Sequence, residues 1–232
     1  MARNQVLIVE DERKIAQILS DYLTAAGFTA SILHRGDQVI AQVRRESPAL
    51  ILLDIMLPGM EGTDICREIR RFSTVPIIMV TARVEEVERI VGLELGADDY
   101  ICKPFSPREV VARVKAVLRR TRAVPGRSAP LEAGPIFLDE ARREASADGH
   151  PLNLTPSEFG LLKILMAQPG RVFSRNELIN RVQGYAFDGY DRTIDTHIKN
   201  LRKKIAAGIP DREVIRTVYG VGYKFSLEPE DL

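Results

Sequence analysis

The chain has 232 residues, of which 45% are apolar and 28% charged, with a formal net charge of +1. That length fits two domains of ordinary size, and the composition excludes a disordered or low-complexity chain. The near-neutral balance offers no bulk attraction for nucleic acid, so any such surface must be local.

The first 120 residues alternate short apolar runs with amphipathic stretches. The runs are 6–9, 50–53, 77–80 and the shorter 100–102, with a weaker strand candidate at 28–33. Continuous runs rich in β-branched residues read as parallel strands covered on both faces. Between them, Ile15, Ile18, Leu19, Tyr22 and Leu23 recur at helical spacing, with Gly27 as a stop. Five strand–helix repeats predict a flavodoxin-like, doubly wound α/β module over residues 1–120. Residues 121–135 hold three prolines and two glycines and read as a linker.

Residues 136–232 follow a different pattern. Strand-like pieces at 136–138 and 152–154 precede three helix starts. Two are capping boxes, Thr155-Pro156-Ser157-Glu158 and Ser174-Arg175-Asn176-Glu177, and Asp191 can cap a third helix over 192–205. Residues 214–225 read as a hairpin around Gly220 and Gly222. Three helices and a terminal hairpin predict an α+β winged helix-turn-helix domain. Cys66 and Cys102 lie outside any CxxC pair, which argues against a disulfide framework or a zinc site. No secretory signal opens the chain, and no apolar run approaches the ~18–20 residues of a bilayer span. A cytoplasmic protein with no direct membrane insertion is expected.

Candidate chemistry gathers at the strand ends. Glu10 and Asp11 follow the first run, Asp54 the third, Thr81 the fourth and Lys103 the fifth. If the strands are parallel neighbours, three carboxylates converge at one edge, a costly arrangement unless a cation sits among them. All-oxygen ligation suits Mg²⁺. Asp54 can then attack a phosphoryl group, with Lys103 balancing charge and Thr81 donating a hydrogen bond. Each residue alone reads more readily as a turn or cap residue; the set of them on one side of the sheet favours a site.

These strings resemble the receiver domain of two-component response regulators. The matching pieces are Val9-Glu10-Asp11-Glu12, Leu53-Asp54-Ile55-Met56-Leu57-Pro58-Gly59, Thr81-Ala82, Gly96-Ala97-Asp98-Asp99-Tyr100 and Lys103-Pro104-Phe105. The resemblance implies that Asp54 is the phosphoacceptor, with Thr81 and Lys103 as phosphate contacts. It implies Mg²⁺ held by Asp11, Asp54, the Met56 carbonyl and, through water, Glu10. It also implies a cis peptide before Pro104 and a switch formed by Thr81 and Tyr100, although Tyr100 alone reads as ordinary core.

In the C-terminal half, Ile194, Ile198, Leu201 and Ile205 form one apolar stripe of the third helix. The opposite face carries Arg192, Thr196, Lys199, Lys203 and, towards one edge, Asn200, with His197 and Arg202 on the flanks and Thr193 in the first turn. From Arg192 to Lys204 five basic residues face one acid, a balance of +4. Such a face suits a major groove, where Lys and Arg reach phosphate or guanine and Asn reads adenine. The hairpin adds Arg216, Thr217 and Tyr219.

The strings Leu154-Thr155-Pro156-Ser157-Glu158-Phe159, Arg192-Thr193-Ile194-Asp195-Thr196-His197-Ile198 and Arg216-Thr217-Val218-Tyr219-Gly220-Val221-Gly222-Tyr223 resemble the winged helix-turn-helix of the OmpR/PhoB subfamily. That resemblance runs nearly end to end. It implies double-stranded DNA with direct repeats, a sensor histidine kinase as phosphodonor, RNA polymerase as a partner, and a homodimer formed on phosphorylation. The dimer face would comprise the helix after the fourth strand, the fifth strand and the helix after it. Arg89–Glu109 and Asp99–Arg113 would pair across subunits, with Asp98 reaching Arg120 and Lys115 nearby. Some relatives carry Arg where Tyr219 stands, so insertion of the hairpin tip into a minor groove is open here. Similarity to envelope-stress regulators of the subfamily implies control of envelope or efflux genes.

Three rival readings remain at this point. An aspartyl-phosphate hydrolase or mutase would use Asp54 but commonly wants a second acid two positions on, where Met56 stands. The C-terminal half could bind protein or RNA. The receiver could also serve as a phosphate-independent dimer scaffold.

Overall fold

The apolar runs become five parallel strands: β1 (Gln5–Val9), β2 (Thr29–Leu33), β3 (Leu50–Asp54), β4 (Ile77–Thr81) and β5 (Asp99–Cys102). Their order is β2-β1-β3-β4-β5. The computed structural model describes residues 4–81, 95–121, 129–183, 192–210 and 212–227. It divides into two units, Met1–Arg119 and Arg120–Leu232.

Continuous apolar strands are required in the first unit because both sheet faces are covered. Leu7, Val9, Ile51, Leu53, Ile77 and Met79 point into one layer, under α2 (Val39–Glu46) and α3 (Gly62–Arg70). Val6, Ile8, Leu50, Leu52, Ile78 and Val80 point into the other, under α1 (Arg13–Ala25) and α4 (Pro107–Thr121). Alternate residues of one strand thus feed opposite cores. Helix α1 contributes Ala16, Leu19 and Leu23, whereas Ile18 and Tyr22 from its expected apolar stripe are exposed. The helix carries more apolar surface than the sheet covers. Strand order reverses between β1 and β3, which puts the switch point where the carboxyl ends of these strands open together.

The second unit begins earlier than the composition suggested. Leu131–Ala133, within the stretch read as linker, is a strand (β6) paired with β7 (Ile136–Asp139). Its proline- and glycine-rich flanks hid three residues of alternating pattern. β8 (Glu144–Ala147) and β9 (His150–Pro151) complete an antiparallel sheet. No strand is formed at 152–154: after Pro151 the pairing with β8 continues by a single bond, from the Leu152 N–H to the Ala145 carbonyl at 2.8 Å.

Helices α5 (Pro156–Met166), α6 (Arg175–Gln183) and α7 (Arg192–Ala206) follow. Thr155 and Glu158 form the full capping box expected for α5. At α6 only half the box forms. The Glu177 N–H donates to Ser174 Oγ at 3.1 Å, while the Glu177 carboxylate is turned to Arg171 and Arg181. The cap expected at Asp191 lies outside the described residues. β10 (Phe173–Ser174), β11 (Ile215–Val218) and β12 (Gly222–Phe225) form a three-stranded antiparallel sheet in the order β10-β12-β11. The stripe Ile194, Ile198, Leu201 and Ile205 is buried as expected, in one core with Phe173, Leu162 and Phe225.

Candidate phosphoacceptor site and nucleic-acid interface

The parallel order brings the ends of β1, β3 and β5 together. Asp54 ends β3 and is nearly buried. Its two oxygens have separate partners: the Met56 backbone N–H donates to Oδ1 at 2.9 Å, and Lys103 Nζ donates to Oδ2 at 2.7 Å. Lys103 also donates to Glu10 Oε1 at 2.8 Å. Glu10 is buried, Asp11 is exposed, and one carboxylate oxygen from each of Glu10, Asp11 and Asp54 lies within 4.8 Å of the other two. Among the described residues this is the one cluster of metal-ligand type. A carboxylate-only donor set fits a hard divalent cation, and Glu10, Asp11 and Asp54 are the groups available to hold it.

The electrostatics agree with that geometry. Burial, reinforced by the Asp54 charge and opposed by the hydrogen bond from Lys103, pushes the Glu10 carboxyl up to about 7. For Lys103, burial works against the charged form, but hydrogen bonds to Asp54 and Glu10 outweigh it and hold the ammonium above its ordinary value.

Neighbouring loops hold the acidic edge in shape, a feature that sequence patterning did not disclose. Gly62 N–H donates to the Ile55 carbonyl at 2.9 Å, and a Cβ on Gly62 would stand 2.1 Å from the Asp54 carbonyl oxygen. Gly36 N–H donates to the Pro58 carbonyl at 3.0 Å, and a Cβ there would stand 2.0 Å from the Met60 carbonyl oxygen. His34 Nδ1 lies 2.8 Å from the Glu10 carbonyl oxygen. Close backbone approach explains both glycines, but one sequence alone does not distinguish such glycines from turn residues.

The Lys103–Pro104 peptide is cis. Tyr100 lies in the buried layer beneath α3, as ordinary core would. The side chain of Thr81, its expected switch partner, lies outside the described residues.

The residues expected at a dimer face separate into three groups. Glu109 and Lys115 are exposed on α4. Asp99 and Arg113, expected to pair across subunits, are joined within the chain at 3.1 Å, and Arg113 also pairs with Glu109 at 2.8 Å. β5 and α4 are close enough for the guanidinium to reach both acids. Asp98, expected to reach Arg120, is fully buried; it accepts from Arg70 at 3.2 Å and from the Ile77 N–H at 3.1 Å. A buried carboxylate needs such partners. Arg120 lies in the last turn of α4, and Arg89 lies outside the described residues.

In the second unit, Lys199 and Lys203 are exposed on α7, and Asn200 is half-buried. Thr196, expected on the outward face, and His197, expected on a flank, are both buried, and both make contacts within the chain. Helix α7 packs against both α5 and α6, so its covered arc is wider than the single aliphatic stripe. Arg202, expected on a flank, is turned inward. It donates to the Ile215 carbonyl from Nε at 2.9 Å and to Thr217 Oγ1 from Nη2 at 2.9 Å. Thr217 is thus engaged by Arg202, Arg216 is half-buried, and Tyr219 at the hairpin tip is 93% exposed. The side chains of Arg192 and Thr193 lie outside the described residues.

Comparison with known proteins joins these two halves. Residues 6–115 match the response regulator receiver domain, and residues 149–225 match the transcriptional regulatory protein, C terminal, domain. Transcriptional regulatory protein BaeR of Escherichia coli O6:H1 is 53% identical over 97% of this chain and 93% of its own length. The chain belongs to the response regulators of the OmpR/PhoB type. Sensory transduction protein RegX3 of Mycobacterium tuberculosis H37Rv is 46% identical over 94% of this chain and 97% of its own. Among solved structures, a RitR mutant superposes with a TM-score of 0.75 at 25% identity, covering 96% of this chain and 98% of that one. DrrB, a Thermotoga maritima OmpR/PhoB homologue, gives 0.51 at 28% identity with the same coverage.

The regulator is therefore a two-component response regulator with a receiver and a DNA-binding domain. Its family is one of transcriptional regulators rather than enzymes, which removes the hydrolase and mutase readings and the protein- or RNA-binding alternative for the second half. Among the described residues no helix is long and apolar enough to cross a membrane.

Proposed function

We propose that Asp54 of this regulator accepts a phosphoryl group from a sensor histidine kinase in the presence of Mg²⁺, and that the phosphorylated chain dimerises and binds direct-repeat promoter DNA. One observation carries the reading. Asp54 is a nearly buried carboxylate with one oxygen on Lys103 and the other on a backbone N–H, beside Glu10 and Asp11.

In the transfer, one Asp54 oxygen forms a bond to phosphorus as the phosphorus–nitrogen bond of a phosphohistidine breaks, and the imidazole leaves. Mg²⁺ would neutralise charge on the phosphoryl oxygens when bound. Lys103 balances that charge from the other side and keeps its proton throughout, consistent with its raised pKa. The Met56 N–H fixes the carboxylate orientation. Thr81 is the residue proposed to turn its hydroxyl towards the phosphate, with Tyr100 following.

Downstream, the exposed Glu109 and Lys115 on α4 supply charges for an isologous face, together with Arg89. Lys199, Lys203 and Asn200 on α7, with Arg216 and Tyr219 on the hairpin, are the proposed DNA contacts. The resemblance to BaeR supports envelope or efflux genes as targets, with RNA polymerase as partner, and the chain is proposed to work in the cytoplasm. A small phosphodonor with and without Mg²⁺ tests the first step. Wild type is expected to gain the mass of one phosphoryl group only with the metal, and Asp54→Ala is expected to gain none. Labelling of Asp54→Ala at the wild-type rate would refute the assignment.

A further inference from the structure

The basic run of α7 contains one acid, Asp195, and two other elements meet on it. Arg175 Nε, at the first residue of α6, donates to Asp195 Oδ1 at 2.7 Å. The Tyr223 hydroxyl, on β12, donates to the same oxygen at 2.7 Å. The Tyr223 ring is flanked by two guanidinium groups, with Arg175 5.2 Å and Arg202 5.6 Å from its centroid. Arg202 in turn holds the carbonyl of Ile215 and the hydroxyl of Thr217 on β11.

A lone exposed ion pair stabilises little. Here the same carboxylate takes two charge-assisted hydrogen bonds from different elements, and cation–π contacts brace the donor ring. Tyr223 pairs in register with Thr217 and Phe173, so it sits in the middle strand between the tip-bearing edge and β10. Fixing its hydroxyl to α7 therefore fixes the whole hairpin relative to that helix.

We propose that Asp195, Tyr223 and Arg175 are positioning residues for DNA recognition. They set the angle between α7 and the hairpin, so that the exposed lysines of the one and the exposed tip of the other meet a single duplex together. None of the three needs to touch DNA. This inference rests on α7 and the hairpin being the reading elements.

Anisotropy titrations test it, with two duplexes: one enriched from a random pool by the wild-type chain, and a scrambled duplex of the same length. Tyr223→Phe and Asp195→Asn are each expected to weaken binding to the enriched duplex about tenfold, the scale of a hydrogen bond to a charged group. Binding to the scrambled duplex, and the slope of log affinity against log salt, should stay at the wild-type values, because no phosphate contact is lost. Arg175→Lys is expected to recover part of the affinity that Arg175→Ala loses.

Unchanged affinity of both Tyr223→Phe and Asp195→Asn for the enriched duplex would overturn the proposal. So would equal losses on both duplexes that track a fall in melting temperature, since that is a purely structural role. A salt slope reduced by about one in Arg175→Ala, with Tyr223→Phe silent, would make Arg175 a phosphate contact instead. Lys199→Ala and Lys203→Ala report separately on the reading face: unchanged binding in both would refute that face while leaving the Tyr223→Phe result to judge the brace.

Discussion

Arg70→Met should be among the most damaging single changes to the receiver. The Arg70 guanidinium is the cation for Asp98, and both are removed from water: the Arg70 side chain is 11% exposed and that of Asp98 0%. It also donates to the carbonyls of Gly96 at 2.9 Å, Val75 at 2.7 Å and Ser73 at 3.3 Å. Methionine fills similar space but withdraws the 3.2 Å ion pair from a buried carboxylate. Breaking one side of a buried ion pair costs about 3–5 kcal/mol, a large share of the ~5–15 kcal/mol that holds a domain together. The change is best read by urea-dependent hydrogen exchange of peptides from β1, β3 and β4, so that the receiver is scored apart from the C-terminal unit. Asp98→Asn on the Arg70→Met background removes the buried charge that Arg70 pairs with and keeps the acceptor for the Ile77 N–H. The double variant should therefore be less destabilised than the sum of the singles by about 1–3 kcal/mol. A loss below about 1 kcal/mol for Arg70→Met, or additive singles, would refute the account of Asp98 as a charge held by Arg70.

Magnesium binding should strengthen with pH. Folded Glu10 holds its proton up to about 7, so roughly nine-tenths of it is protonated at pH 6 and a tenth at pH 8, which makes apparent affinity about tenfold higher at pH 8. Calorimetry should show proton release on binding near neutrality; pH-independent affinity would count against Glu10 as part of the site. The sign for stability is opposite. Unfolded Glu10 loses its proton near 4.5 and folded Glu10 near 7, so this group makes the metal-free receiver less stable as pH rises through that window. Gly62→Ala places a methyl 2.1 Å from the Asp54 carbonyl oxygen. It should cost about 1–3 kcal/mol of receiver stability and slow labelling by a small phosphodonor, measured by intact mass; wild-type behaviour in both would show that the loop yields freely.

The acidic edge was legible because it depends on chain order alone. Once β1, β3, β4 and β5 are parallel neighbours, Glu10, Asp11, Asp54 and Lys103 must share one edge. The four apolar runs announce that sheet, since a strand buried on both faces has no polar alternate positions, whereas the edge strand β2, partly exposed and carrying Thr29 and Ser31, gives the weaker signal. Helix faces were less legible. Helical angles placed Thr196 outward, His197 on a flank and Ile18 and Tyr22 inward, yet how much of a helix is covered depends on how many neighbours it has. Charged pairs were the least legible. Asp98, Asp99 and Arg113 stand in a sequence that cannot distinguish a surface charge awaiting another subunit from one already satisfied within its own chain. The same ambiguity concealed Asp195, which reads as a lone acid in a basic helix until β12 brings Tyr223 to it.

The contacts of Arg70 have a mechanical consequence. They gather Ser73 and Val75, just before β4, with Gly96 and Asp98, just before β5. Both strands are thereby pinned where they enter the sheet, at the pole opposite Asp54. A perturbation arriving at the acidic pole finds these strands fastened at their roots.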